Sequence, residues 1–168
     1  QTCALPIFAP ETSRSFEVGA KLRFGNRAML NIAAFDTQYK NLQVSVAIQT
    51  TSVTSFAFYT GNAAEAKARG IEADGSFAVT DQFHIEGNMA WTPKAEFSSY
   101  PAGPCATGQA PTNTVSNSCN LTGARLGFIP EFKGTLTGRF TAPLTSGLKL
   151  NLADRKSTRL NSSHTDIS

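Results

Sequence analysis

The sequence has little charge and few of the residues that build catalytic or metal sites. Of its 168 residues only 16% are charged, against about 25% in ordinary soluble domains, and it contains two histidines and three cysteines. The net charge of +3 is too small and too dispersed to predict nucleic-acid binding. No run of about 18 apolar residues occurs, which excludes a transmembrane helix. Twelve phenylalanines and thirteen glycines instead favour strands and turns.

Sequence motifs for an enzyme, a cofactor or a metal are also missing. No serine lies in a nucleophile elbow, and no glycine-rich phosphate-binding motif precedes a helical pattern. His84 stands alone on the polar side of a strand-like segment, so a Ser-His-Asp site has no visible partners for it. We therefore expect no enzymatic activity and no cofactor, and we interpret His84 as a hydrogen-bonding side chain.

Both ends of the chain differ in character from the rest. Residues 154–168, DRKSTRLNSSHTDIS, lack the alternation found elsewhere, and 154–164 resemble a translated sequencing adapter. Residues 1–7 resemble a second adapter. The alternative is a natural disordered tail. We set both segments aside as adapter artefacts and take 8–153 as native sequence.

Alternation with a period of two is the main structural signal. It is clearest in 16–24, 83–91 and 132–142, where apolar residues or glycines alternate with charged and polar ones. Similar segments lie near 28–46, where Asp36 begins an interruption, near 66–79, and from 148 onward. No segment has a convincing helical period, so we predict an all-β fold of about six antiparallel strands.

The connections between these segments alternate between short and long. Gly25-Asn26, 80–82 and 143–147 are tight, whereas 47–62 and 97–130 are long. A transmembrane barrel has short turns on one side of the membrane and long loops on the other, and its strands need about 9–11 residues. A soluble β-sandwich also buries one face of each strand, so alternation alone leaves both folds open. The mixed charges of the polar faces and the sorting of loop lengths favour the barrel.

In a barrel the two faces of each strand would have different surroundings, because apolar rows would meet lipid and polar rows would meet the lumen. Near the outer ends of their strands, Trp91, Tyr39 and Tyr59 would lie in an interfacial aromatic belt, with loop anchors on the solvent side as the alternative. The lipid-facing candidates are Phe16, Val18, Leu22, Phe24, Phe83, Ile85, Met89, Trp91, Leu136 and Phe140. The lumen-facing candidates are Glu17, Lys21, Arg23, Glu72, Asp74, His84, Glu86, Lys133 and Arg139.

The longest connection contains both cysteines of the native part. The stretch 98–124 has no charged residue, and Cys105 and Cys119 lie within it among Pro, Gly, Thr and Asn. A disulfide between them would close a loop of about fifteen residues and stabilise the fold by about 3 kcal/mol on the chain-entropy model. A zinc site would need four ligands, and neither a histidine nor a third cysteine is nearby. We therefore predict a disulfide in an oxidising compartment.

Several segments, in order, resemble TonB-dependent outer-membrane receptors. PETSRSFEVGAKLRF and NIAAFDTQYKNLQV resemble two consecutive strands of that family, and NAAEAKARGIEADGSF resembles its Asn-Ala-x-x-Ala-x-x-x-Gly-x-Glu strand. The likeness continues through Leu-x-Gly-x-x-Leu at 121–126 and Pro-x-Phe-x-Gly at 130–134. Departures occur at Asp36, where an aromatic residue is usual, at Ala64-Glu65 and at Gly127.

The resemblance implies six consecutive strands of a 22-stranded up-and-down transmembrane barrel, not closed on its own, in the outer membrane of a Gram-negative bacterium. It implies import of a scarce large nutrient, an iron–siderophore complex, with cobalamin or glycans as alternatives. The implied partners are outer-membrane lipid and the TonB complex, which would act through a plug domain outside this chain. No nucleic-acid partner is implied.

Loop 97–130 is our candidate for ligand contact, because long loops on a rigid scaffold usually carry recognition. Two other classes of protein stay open at this point. One is a passive porin-like channel without a plug, and the other is a soluble all-β binding module.

Overall fold

Six antiparallel strands form one sheet. The computed structural model describes residues 9–49, 56–114, 118–144 and 147–160, without the side chains of 45–49, 56–60 and 63. The strands follow one another in the sheet as they do in the sequence, and within the described residues the sheet stays open, with β1 and β6 at its edges. The all-β prediction is confirmed. The strands are β1 (Thr12–Phe24), β2 (Ala28–Gln49), β3 (Phe56–Ala78), β4 (Phe83–Ser99), β5 (Phe132–Pro143) and β6 (Lys149–Leu160).

Two of the strands are longer than their alternation predicts. β2 reaches Gln49 and β3 begins at Phe56, so most of the connection that we predicted at 47–62 is strand, and that prediction was wrong. The cause is that backbone hydrogen bonds hold a ladder together without any particular side-chain pattern. The remaining part of that connection, 50–55, lies outside the described residues.

The short connections are tight turns built by local hydrogen bonds. Gly25 follows β1 with a φ of 57°, a left-handed conformation that glycine adopts at little cost. Two residues further on, the Arg27 N–H donates to the Phe24 carbonyl over 3.4 Å. Between β3 and β4, the Thr80 hydroxyl accepts a bond from the Phe83 N–H at 2.9 Å. Each turn therefore reverses the chain within a few residues, as the sequence predicts.

No helix in the described part of the chain is long and apolar enough to cross a membrane.

Contacts divide the chain into two compact units. The loop unit comprises Gln1–Ser15, Thr37–Ala68 and Ala95–Leu126, and it contains most of the long connection between β4 and β5. The turn unit comprises Phe16–Asp36, Arg69–Lys94 and Gly127–Ser168, and it contains the tight turns. All lipid-facing and lumen-facing candidates belong to the turn unit. The core of the loop unit consists of Ala64, Ala66, Ala68, Ala95, Tyr100 and Cys119.

Strand β6 extends past residue 153, where the predicted adapter sequence begins. It pairs with β5 along its whole length, with Asp154 opposite Gly138 and Lys156 opposite Leu136. Its apolar alternation stops at Leu152, so the extension rests on backbone pairing. The assignment of both ends to adapters stays a prediction, and residues 1–8 and 161–168 lie outside the described residues.

Candidate membrane surface and ligand-binding loop

The apolar side chains of the turn unit form an exposed surface. Phe16 is 71% exposed, Val18 61% and Leu136 57%. Among the other lipid-facing candidates, Leu22, Phe24, Met89 and Trp91 are also exposed, and Phe83, Ile85 and Phe140 are half-buried. Soluble monomers rarely expose a continuous apolar surface of more than a few hundred Å². This surface is therefore a candidate for contact with an apolar environment.

The apolar rows have a common length, measured from the tight turns. Eight steps at about 3.4 Å correspond to about 27 Å along a strand, or roughly 21 Å across a membrane at a tilt of about 40°. That is close to the apolar band of about 25 Å in outer-membrane barrels. Counted between large apolar residues, the rows run from Phe24 to Phe16, from Val79 to Ile71, from Phe83 to Trp91 and from Phe140 to Phe132, and on β5 the smaller Ala142 extends the row toward the turn.

On β2, Asp36 lies eight residues after Ala28, where an apolar residue would continue the row, and it forms an ion pair with Arg69. Asp36 accepts a hydrogen bond from Nε of Arg69 at 2.6 Å, and Nη2 of the same guanidinium contacts the same carboxylate oxygen. The pair borders an apolar hollow of about 370 Å³ lined by residues that include Phe16, Ile71 and Trp91. A charge that interrupts the apolar row of β2 is thus compensated by one from β3. Asp36 is one of the departures from the family pattern in the sequence, and its pairing with Arg69 is visible only in the structure.

A glycine allows close packing at the same level. A Cβ at Gly70 would lie 2.5 Å from the Trp91 carbonyl oxygen and 2.9 Å from the ring of Phe35. Real Cβ atoms do not approach backbone atoms so closely, so any side chain at this position would push β3 away from its neighbours. The glycine of the Asn-Ala-x-x-Ala-x-x-x-Gly-x-Glu motif therefore has a packing role.

The lumen-facing candidates are all exposed and lie at alternating positions of their strands. The structure brings only some of them into contact. Arg139 lies opposite His84 and contacts Glu86 over 3.5 Å. Asp74 accepts a hydrogen bond from Nδ2 of Asn31 at 2.9 Å. In the described part of the chain, no ion pair joins the remaining candidates, which are Glu17, Lys21, Arg23, Glu72 and Lys133.

The long connection between β4 and β5 is folded as a ladder. Leu126 donates to the Ala95 carbonyl at 2.7 Å, and Leu121 donates to the Tyr100 carbonyl at 2.8 Å. Further along, Gly103 and Cys119 exchange two backbone hydrogen bonds of 2.8 and 2.9 Å, and Asn113 pairs with Ser118. The rings of Phe97 and Tyr100 meet with centroids 5.0 Å apart. In its described residues the loop is therefore held by backbone hydrogen bonds at several points along its length.

A disulfide fixes this ladder near its middle. Cys105 and Cys119 are joined, with an S–S distance of 2.04 Å and Cα atoms 5.0 Å apart. This is the pairing that the sequence analysis expects. Within the ranges that the structure describes, no group of three or more His, Cys, Asp or Glu side chains could hold a metal ion.

We expect the disulfide to be present in the mature protein. Mass spectrometry of a proteolytic digest should show the peptides of Cys105 and Cys119 joined before reduction and separate after it. The adjoining ladder holds both sulfurs together, and an oxidising compartment preserves the bond. Alkylation of both thiols without prior reduction would contradict this expectation.

A single asparagine ties the loop unit together, and the sequence analysis missed its role. Nδ2 of Asn62 donates to the carbonyls of Ala9 and Asn41, each at 2.7 Å, and its Oδ1 accepts from the Ala9 N–H at 2.8 Å. Asn41 itself has a φ of 56°, which asparagine tolerates better than most residues. Asn62 opens the third quoted motif, and that was the available signal.

Comparisons with known proteins agree with this geometry. The family described as "TonB dependent receptor-like, beta-barrel" matches residues 4–166. Among solved structures, the ferric yersiniabactin uptake receptor FyuA from Yersinia pestis is similar, with a TM-score of 0.56 and 18% identity. The match covers 89% of this chain and 22% of that receptor, so the chain spans about a fifth of its length. The comparison with curated proteins finds no match.

An open, up-and-down antiparallel sheet with exposed apolar rows of constant length defines a portion of a membrane β-barrel. The family match extends over nearly the whole sequence, and the chain belongs to the TonB-dependent receptor β-barrel family. It is therefore part of the barrel of an outer-membrane receptor, and the family resemblance inferred from the sequence is confirmed.

Proposed function

We propose that the chain is part of a receptor that actively imports a scarce nutrient, an iron–siderophore complex, with energy from the TonB complex. The family match over residues 4–166 carries the proposal. The solved receptor named above is described as a ferric yersiniabactin uptake receptor, which supports a ferric chelate as the class of cargo. The TonB complex would act through a plug domain, and the receptor would carry out no enzymatic reaction.

In this proposal the two faces of the sheet have separate roles. The ten apolar candidates contact outer-membrane lipid, and the nine polar candidates line the lumen and face the plug. The exposure of Phe16 and Leu136 and the common length of the rows support the lipid contact. The ion pair between Glu86 and Arg139 suits a hydrated lumen, where exposed charges cost little.

We also propose that residues 154–168 are adapter sequence, so that the natural strand has other residues beyond position 153. In the proposed orientation Asp154 and Lys156 would face lipid, because they lie opposite Gly138 and Leu136 in the middle of the apolar row of β5. A lysine at the middle of the membrane costs about 2–4 kcal/mol on the lipid face of a barrel. Recovering the complete reading frame from the source genome is thus the first step of any test.

The complete receptor, expressed in a host without its own ferric receptors, should accumulate radioactive iron from a siderophore complex. We expect uptake at least about tenfold above a vector control in a host with TonB, and uptake near background in a host without it, because displacement of the plug would need work from the TonB complex. A passive channel would admit the complex equally in both hosts. Equal uptake would therefore contradict active import.

A further inference from the structure

We propose that the hollow beside the Asp36–Arg69 pair binds one anionic lipid, with the lipid phosphate on the Arg69 guanidinium and an acyl chain in the hollow. The proposal rests on the proposed function, in which the apolar face of the sheet meets outer-membrane lipid. It goes beyond that general contact, because it names one class of lipid and the side chain that selects it. All residues that line the hollow belong to the turn unit.

The shape of the hollow suits an acyl chain. Its floor is formed by β2 and β3, where Ala34 has a short side chain and Gly70 has none. Its walls are Phe16 on β1 and Trp91 on β4, and both side chains are exposed. Neighbouring strands lie about 4.8 Å apart, so three such spacings separate β1 from β4 by about 14 Å. The result is an apolar trough of about 370 Å³ between two bulky walls.

The cation of the ion pair is its outer member. Nε and Nη2 of Arg69 both contact Oδ2 of Asp36. The Arg69 side chain is 65% exposed, whereas the Asp36 side chain is 28% exposed. A guanidinium has five N–H donors, and among the described residues the hydrogen bonds of Arg69 use only Nε and Nη2. The two N–H groups of Nη1 therefore remain for a further acceptor.

The position of the cation relative to the hollow matches the layout of a lipid. Arg69 lies two residues beyond Ile71, just past the end of the apolar row on β3. In the proposed orientation this is the level of the lipid head groups, where tryptophans such as Trp91 are also enriched. Guanidinium groups bind phosphate through charge-assisted hydrogen bonds, and basic side chains near the membrane surface attract anionic head groups. A phosphate on Arg69 would direct its acyl chain along the hollow toward the tight turns.

A purely structural ion pair would behave differently from a lipid site. In a structural pair Asp36 and Arg69 would be equivalent, because each would only neutralise the other. In a lipid site they are opposed, because Arg69 holds the phosphate while the Asp36 carboxylate repels it. Removing each charge in turn therefore separates the two roles.

The experiment uses the complete receptor, purified in a neutral detergent, and measures lipid binding by native mass spectrometry. The probes are phosphatidylglycerol, a neutral galactosyl diacylglycerol with the same acyl chains, and soluble glycerol phosphate. We expect phosphatidylglycerol to bind at least about tenfold more tightly than the galactolipid, because hydrogen bonds to charged groups are the stronger ones. Glycerol phosphate should not bind measurably, since it has no chain to fill the hollow.

Four variants assign the binding to this site. Arg69→Gln should remove the preference for phosphatidylglycerol, whereas Asp36→Asn should bind that lipid at least as tightly as the parent does. Ala34→Phe should weaken both lipids, because the added ring occupies the hollow. Arg27→Gln is the matched control, since Arg27 forms the same kind of pair with Asp81, over 3.1 Å, at the tight turns. It should leave each Kd within about twofold of the parent.

Equal affinity of the parent for both lipids, binding of glycerol phosphate as tight as that of phosphatidylglycerol, or equal losses in Asp36→Asn and Arg69→Gln would each overturn the proposal. If removal of either charge prevents assembly, the parent measurement and Ala34→Phe still decide it. TonB-dependent uptake by the parent is measured separately. If uptake depends on TonB but the anionic lipid is not preferred, the importer function stands and the lipid site falls. If the anionic lipid is preferred but uptake is independent of TonB, the lipid site stands and active import falls.

Discussion

Replacing Leu136 by arginine is expected to prevent the complete receptor from assembling in the outer membrane, whereas the same replacement at Thr137 is expected to be tolerated. The two residues are neighbours on β5, and their side chains project to opposite faces. Leu136 lies in the middle of the apolar row that runs from Phe132 to Phe140. An arginine at that depth on a lipid face costs about 2–4 kcal/mol, a large part of the stability of a domain.

Thr137 provides the matched control, because its surroundings suit a cation. It lies opposite Glu86 in the register of β4 and β5, so an arginine there gains an acidic neighbour. Assembly is measured as the amount of receptor that reaches the cell surface and migrates as a folded species before heating. Equal assembly of both variants, or greater loss with Thr137→Arg, would show that the apolar face of β5 does not meet lipid.

The sequence alone predicted the turn unit well, and the reason is physical. In a sheet with one apolar face, every second residue must be apolar, so the rows of β1, β4 and β5 are visible without any structure. The tight turns are equally local, because Gly25 and Thr80 set them through their own conformation and hydrogen bonds. Signals of this kind depend on residues that are close in the sequence.

The contacts that the sequence analysis missed depend on strand register. Arg69 reaches Asp36 across 33 positions of sequence, and Asn62 reaches Ala9 across 53. Shifting one strand by a single residue would move each side chain to the other face, so such a pair can be named only when the register is known. The extension of β2 and β3 was missed for a related reason, since their added length rests on backbone pairing.

The disulfide and the uncharged composition of the loop were predicted from the sequence, but its backbone pairing was not. Cys105, Cys119 and the lack of charge are properties of the sequence and needed no structure. The backbone pairing of Gly103 with Cys119 and of Asn113 with Ser118 is visible only in the structure. Composition therefore indicated the residues of the loop, and the fold supplied their pairing.

Deleting residues 100–122 is expected to lower uptake by the complete receptor by at least about tenfold while the barrel still assembles. The loop stands on a base of backbone hydrogen bonds that the deletion leaves in place, between Ala95 and Leu126 and between Phe97 and Ala124. Joining Ser99 to Gly123 through a two-residue turn should keep that base closed, because Gly123 donates to the Phe97 carbonyl at 2.8 Å. The shortened loop would lose the disulfide between Cys105 and Cys119.

Two measurements separate recognition from assembly in this deletion. Surface labelling and migration of the unheated receptor should match the parent, since the apolar rows and the turns of the turn unit are untouched. Ligand affinity and TonB-dependent uptake should fall together. The double variant Cys105→Ser, Cys119→Ser should lie between parent and deletion, because the ladder remains but the loop becomes freer before binding. An unchanged ligand affinity in the deletion would show that other loops carry recognition, and loss of surface receptor would show that the loop is needed for assembly.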